Sequence, residues 1–235
     1  MASALIGFAV GYLLSALAVV VVSPLTGYHF KSGETIPLGV LAASVIGLWA
    51  GLVGTALKVS RDLGGAGLVR DFGLRVGAWW DLPVGAAVGL ASQYGLVRVV
   101  YLPFETYDHG LAHRIGQPAQ NDTSSVHTSP ELVVALLLLA VGAPIVEELF
   151  FRGVLLRSLN SAIGAWRPRL AVPLSVVLSA GCFALAHFEA VQFLGLACFG
   201  VVLAVMAWRW DRLGPSIAAH AAFNASAVIS ITHIR

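Results

Sequence analysis

Two adjacent carboxylates, Glu147 and Glu148, stand in an otherwise apolar stretch, with Arg152 four residues beyond Glu148. Further along, His187 and the pair His220 and Asn224 fall in equally apolar surroundings. Ionisable groups at membrane depth are costly, so each is a candidate for function. Successive residues of an α-helix point about 100° apart, which leads to the expectation that Glu147 and Glu148 serve separate partners. Glu148 and Arg152 are spaced i,i+4 with the acid on the N-terminal side, the favourable sense for an ion pair within one helix. Arg152 then neutralises Glu148, and Glu147 faces neighbouring helices, where a partly desolvated carboxylate can act as a general base towards water. His220 and Asn224 are also i,i+4, so both present hydrogen-bond donors from one helix face. Two fixed donors in a low-dielectric pocket suit a developing oxyanion, and losing one such donor typically raises a barrier by about 3 kcal/mol. A second arrangement is open on the same residues: Glu147, His187 and His220 can form a His2Glu zinc site with water in the fourth position. No other cofactor is called for.

These groups must be held by helices in a bilayer. The chain has 235 residues, 58% hydrophobic and 11% charged, against roughly 25% charged in a soluble domain. Its 14 Lys+Arg and 12 Asp+Glu are too few to cover a water-facing surface of this size, so most of the exterior faces hydrocarbon. A formal net charge of +2 without a basic run argues against nucleic acid as a partner. A spanning helix needs about 20 apolar residues, and seven runs qualify: Leu5–Val22, Pro37–Leu57, Val76–Leu102, Glu131–Leu156, Leu170–Phe188, Val191–Trp210 and Leu213–Ile231. The expected fold is an all-α, polytopic transmembrane helical bundle of about seven spans. It forms a single domain over residues 1–235, with the chemistry confined to 143–224. The first run lacks a positively charged start and reads as a retained span. The third is interrupted by Asp81, Gln93 and Arg98, of which Asp81 and Arg98 are expected to pair.

Lys58, Arg61, Arg70 and Arg75 follow span two, Arg157, Arg167 and Arg169 follow span four, and Arg209 and Arg212 follow span six. All three groups can be cytoplasmic at once, with the N-terminus inside, and the polar stretch Glu105–Pro130 is then an outer loop. The small-residue pairs Gly7/Gly11, Gly47/Gly51 and Gly85/Gly89 read as packing positions that let helix backbones approach closely. Cys182 and Cys198 lack metal-type spacing and read as small core hydrophobes. His29, His109, His113, His127 and His233 read as solvated loop or terminal residues, while Glu189 is a candidate partner to orient His187. At 1.5 Å per residue, Glu147 lies ~15 Å from Arg157 and His220 ~10 Å from its helix end, but His187 lies ~21 Å from Pro173. Bringing His187 to the others requires tilt, a kink or a re-entrant start to span five.

Glu147-Glu148-x-x-x-Arg152, Phe183-x-x-x-His187 and His220-x-x-x-Asn224, in that order on successive helices, resemble the three motifs of the CPBP intramembrane proteases. That family includes the type II CAAX prenyl endopeptidases and the Abi proteins linked to bacteriocin immunity. The resemblance covers Ala143–Asn224, and the first three spans carry no motif. It implies a membrane-embedded endopeptidase with a cavity open to the cytoplasm, in the plasma membrane of a prokaryote. Position by position, it implies that Glu147 activates water with help from His187, that His220 and Asn224 stabilise the oxyanion, and that Glu148 and Arg152 support the site. It leaves zinc open. The implied partner is a membrane-associated protein or peptide substrate, prenylated CAAX tails among the candidates. The alternative is a non-catalytic peptide-binding or transporter-accessory protein using the same polar cavity. A metal or proton pathway is a third reading, disfavoured because a relay needs ionisable groups spread across the membrane. No His-Glu-x-x-His, Gly-x-Ser-x-Gly or phosphate-loop motif is present.

Overall fold

The computed structural model describes residues 2–29 and 35–233. Among them the regular structure is helical throughout, with no strand. The helices are α1 (Ala2–Thr26), α2 (Leu38–Asp62), α3 (Leu68–Phe72), α4 (Asp81–Ala91), α5 (Val97–Glu105), α6 (Leu111–Asp122), α7 (Ser129–Ala135), α8 (Ala143–Glu148), α9 (Leu156–Gly164), α10 (Ala171–Leu185), α11 (Phe193–Trp210) and α12 (Gly214–His233). A π-helical segment, Ser92–Leu96, joins α4 to α5 without a break, and two more, Leu136–Gly142 and Leu149–Leu155, join α7, α8 and α9. Among the described residues, five helical stretches are long and apolar enough to cross a membrane: Ala2–Thr26, Leu38–Asp62, Ser129–Gly164, Pro168–Leu185 and Phe193–Trp210. The chain is an integral membrane protein. The regions of the third and seventh expected spans are helical too, as α4–α5 and α12, but they are not among these five. Large apolar side chains of α1, such as Leu13 and Leu17, are exposed on the outer surface, as hydrocarbon-facing residues are.

The glycine pairs sit where helix backbones meet. A Cβ on Gly51 would lie 2.3 Å from the Gly11 backbone, and one on Gly89 would lie 2.1 Å from the carbonyl oxygen of Ala219. These contacts seat α1 on α2 and α4 on α12, the helix that carries His220. The interior between them is aromatic: Phe72, Phe150, Phe151 and Phe183 are buried with Leu149, Val154 and Leu213.

The three basic groups converge on one end of the bundle. Leu213 N–H donates to Gly73 O and Gly214 N–H to Arg75 O, while Arg157 pairs with Asp211. Arg212 donates twice to Asp81, at 2.8 Å each, and lies 4.9 Å from the Trp80 ring. Its guanidinium holds the Asp81 carboxyl below the usual carboxylate range, assisted by the Gly77 and Ala78 N–H groups. The expected Asp81–Arg98 pair is therefore incorrect. Seventeen residues along a continuous helical stretch separate these side chains by ~25 Å, whereas the turn before α12 brings Arg212 directly to Asp81.

At the other end the stretch Glu105–Pro130 is not the plain loop expected. It holds α6, which carries His113 and ends where Thr123 is buried and bonds back to Ala119 O. Gln192 donates to Ile115 O and Tyr101 to Val191 O, tying α6 and α5 to the turn between α10 and α11. The side chain of His233 lies outside the described residues.

Candidate active site

Glu147 and Glu148 end α8, immediately before the π-helical segment that contains Arg152. Inserted π turns recur at functional sites, because the extra residue per turn re-aims side chains and loosens the backbone hydrogen bonds. Glu148 and Arg152 are wholly buried and joined at 2.7 Å, the pairing their spacing predicts. Arg152 also donates to Gly200 O at 3.2 Å and lies 4.4 Å from the Phe183 ring centroid, so α8, α10 and α11 meet on one guanidinium.

His220, 2% exposed, enters from α12 between the two acids. Its Nδ1 is 3.1 Å from Glu148 Oε1 and its Nε2 is 3.9 Å from Glu147 Oε2. This corrects the expectation that the two carboxylates serve separate partners. An imidazole carries nitrogens on opposite edges, so one ring from another helix fills the wedge that adjacent residues open. Glu147 Oε2 is itself buried and has no hydrogen-bond partner among the described residues.

His187 lies just past α10, which at 15 residues rises ~22 Å against a hydrocarbon core of ~30 Å. The helical turn Pro168–Leu170 extends it to a stretch long enough to cross a membrane, and the turn carrying His187 lies at membrane depth because Ala186 meets Tyr12 midway along α1. Its Nδ1 donates to Phe183 O at 2.8 Å, since a carbonyl can only accept, and this fixes Nε2 as the unprotonated nitrogen of the neutral ring. Glu189 thus does not orient His187 through Nδ1. Phe183 packs against both imidazoles, with centroids 4.8 Å from His187 and 5.5 Å from His220. Asn224 donates to Leu139 O at 2.8 Å, inside the first π segment of the long helix, which leaves its second amide hydrogen available.

Irregular backbone at membrane depth is tolerated where it lines a cavity. The turn after α10 lines one of about 740 Å³, with Phe8 of α1, Phe150 and Phe151 of the long helix, Cys182, Glu189 and Phe193 among its walls. Cys182 packs against the hydrophobic core, as expected, and also lines this cavity. The cavity is almost wholly apolar, of a size that binds small-molecule ligands. One residue the motifs did not flag, Tyr12 of α1, reaches the site: its hydroxyl donates to Ala186 O, and it lies within electrostatic reach of Glu147.

Glu147, His187 and His220 do not converge as a ligand set, and among the described residues no three His, Cys, Asp or Glu side chains do. The residues as arranged do not fit a three-ligand metal, and no step below is routed through one.

No curated protein and no solved structure matches the chain. Family comparison supports a CAAX-type intramembrane protease, bearing out the resemblance read from the three motifs: residues 129–226, which contain all of them, match the family described as type II CAAX prenyl endopeptidase Rce1-like.

Proposed function

We propose that the protein is an intramembrane endopeptidase in which Glu147 activates the attacking water. The observation that carries this reading is the buried, unpartnered Glu147 Oε2 facing His220 Nε2 at 3.9 Å, on the same long helix whose Phe150 and Phe151 line the apolar cavity. The attacking water bonds to Glu147 Oε2, a buried acceptor that no group among the described residues satisfies. Glu147 takes a proton from that water as its oxygen attacks the scissile carbonyl carbon, and His187 Nε2 assists by accepting from the same water. Charge develops on the carbonyl oxygen, where a proton on His220 Nε2 and the free amide hydrogen of Asn224 stabilise it. Glu147 then passes its proton to the leaving amine as the C–N bond breaks, giving a free carboxyl and a free amine. Glu148 and Arg152 hold the His220 ring in place.

The apolar cavity takes the hydrocarbon part of the substrate, which suits a membrane-associated peptide with a lipidated or strongly apolar segment, a prenylated CAAX tail among them. The three basic loops gathered at one end support a cytoplasmic orientation for that end, with the N-terminus inside.

The test is cleavage of quenched lipidated and unlipidated peptides by detergent-purified protein beside Glu147→Gln. A loss of about 10²–10⁴-fold with the variant still folded is expected; turnover within ten-fold of the parent removes Glu147 as the base. Repeating the assay with a chelator tests the metal question directly. Partner capture without cleavage, altered by the same substitutions, would instead favour a binding protein.

A further inference from the structure

Helix α1 lies outside the matched segment, yet it supplies a side chain that touches both neighbours of His187. Tyr12 donates its hydroxyl hydrogen to Ala186 O, a carbonyl at the C-terminal end of α10 of the kind a helix leaves without an intrahelical partner. Its ring meets the Phe188 ring edge-on, with centroids 5.2 Å apart and planes at 85°. Phe188 has φ +54°, in the left-handed region. A bulky residue stays there only when its surroundings over-determine it. Phe8, 4.8 Å from Tyr12, backs the phenol and in turn stacks on Phe150. The bond from His187 Nδ1 to Phe183 O sets the ring's tautomer; the Ala186, His187 and Phe188 N–H groups bond back to α10, and Tyr12 adds the contacts that hold the Ala186 carbonyl and the Phe188 ring.

We propose that Tyr12 is a positioning residue of the active site, clamping the 186–188 turn from both sides so that His187 keeps its place against Phe183, the ring that also meets His220. The inference rests on the peptidase reading above. The phenol has a single hydrogen, and Ala186 takes it, so Tyr12 does not compete with water for the Glu147 carboxylate. This explains why a helix without any motif is seated, through the Gly11–Gly51 contact, at the height of the site.

Tyr12→Phe keeps the ring and removes the clamp's hydrogen bond. In the cleavage assay it should lower kcat about three- to ten-fold, the range for one neutral hydrogen bond, with KM changed less than two-fold. A merely structural role would instead lower the folded fraction and leave kcat per folded molecule alone. Histidine-specific ¹⁵N spectra provide a readout independent of activity: the His187 ring signals should broaden or double in Tyr12→Phe while those of His220 hold. Unchanged His187 signals, an unchanged kcat per folded molecule, or a loss that lies entirely in KM each overturn the proposal. If the parent protein cleaves nothing, the peptidase reading fails, and the spectra alone then decide whether Tyr12 holds the turn.

Discussion

Removing Arg152 probes the buried charge that organises the site. The side chain is 1% exposed and joined to the wholly buried Glu148 at 2.7 Å, to Gly200 O at 3.2 Å and to the Phe183 face at 4.4 Å. Arg152→Met keeps most of the volume and deletes the charge, leaving Glu148 with His220 Nδ1 as its remaining polar contact. Breaking a buried pair on one side typically costs 3–5 kcal/mol, because the other charge stays buried without compensation. For a chain of this length that corresponds to a fall in melting temperature on the order of 10 °C. Removing both charges is different, since a matched apolar replacement of a buried pair is often neutral. The double variant Glu148→Gln, Arg152→Met should therefore recover about 2 kcal/mol of the single variant's loss, the size of coupling seen between contacting residues. Thermal unfolding in detergent, followed by a thiol-independent dye and by retention on size exclusion, measures all four corners of the cycle. A single variant within 1 kcal/mol of the parent, or a double variant that loses the sum of the two singles, would refute the argument.

Three further outcomes follow from the geometry. Glu147→Gln should keep the fold and lose cleavage, as set out above. Gly89→Ala places a methyl group against Ala219 O, so it should cost about 1–3 kcal/mol and depress cleavage by more than its stability loss explains, because Ala219 adjoins His220; equal falls in both would mean that α12 moves without disturbing the site. Burial, with Glu189 nearby, pushes Asp122 up to about 6 from 3.8. A carboxyl raised on folding contributes stability that is fully present below about pH 4 and is lost as pH rises through 6. Asp122→Asn should therefore raise stability at pH 7.5 by up to about 2 kcal/mol after allowance for partial exposure, read as a higher melting temperature, and give no gain at pH 4; a gain of equal size at both values would rule out titration as the cause.

Much of the fold was legible because hydrocarbon imposes simple rules. Apolar runs of spanning length marked the five strongest helices, and small-residue pairs marked where backbones touch. The Glu148–Arg152 pair was legible too, since both ends lie on one helix and i,i+4 spacing is a local property. What escaped depends on how separate helices meet. The wedge of His220 between two adjacent acids requires a ring from α12 at one height and rotation, and no single-helix angle gives that. Asn224 finds Leu139 O inside a π segment, and nothing in Leu136–Gly142 announces a π turn in sequence. The α6 helix was hidden by polar composition and Pro118, both of which read as loop. Tyr12 carried no signal because a lone tyrosine in an apolar span is ordinary; only the turn it grips gives it meaning.

The Asp81–Arg212 clasp sets a timetable for biosynthesis. Its partners are 131 residues apart, and at synthesis rates of about 5–20 residues per second the aspartate waits roughly 7–26 s for its arginine to be made. The Leu213–Gly73 and Gly214–Arg75 bonds that close the same end must wait as long. Until then α4 has neither its charge partner nor the α12 surface that its glycines fit, and its first residue belongs at the water interface rather than in hydrocarbon. A helix made late, α12, thus locks an early helix into place, and the same event brings His220 to the acids already in the membrane. A chain truncated before α12 lacks both the surface that seats α4 and the imidazole that meets Glu147 and Glu148, since closing the fold and gathering these groups are one step.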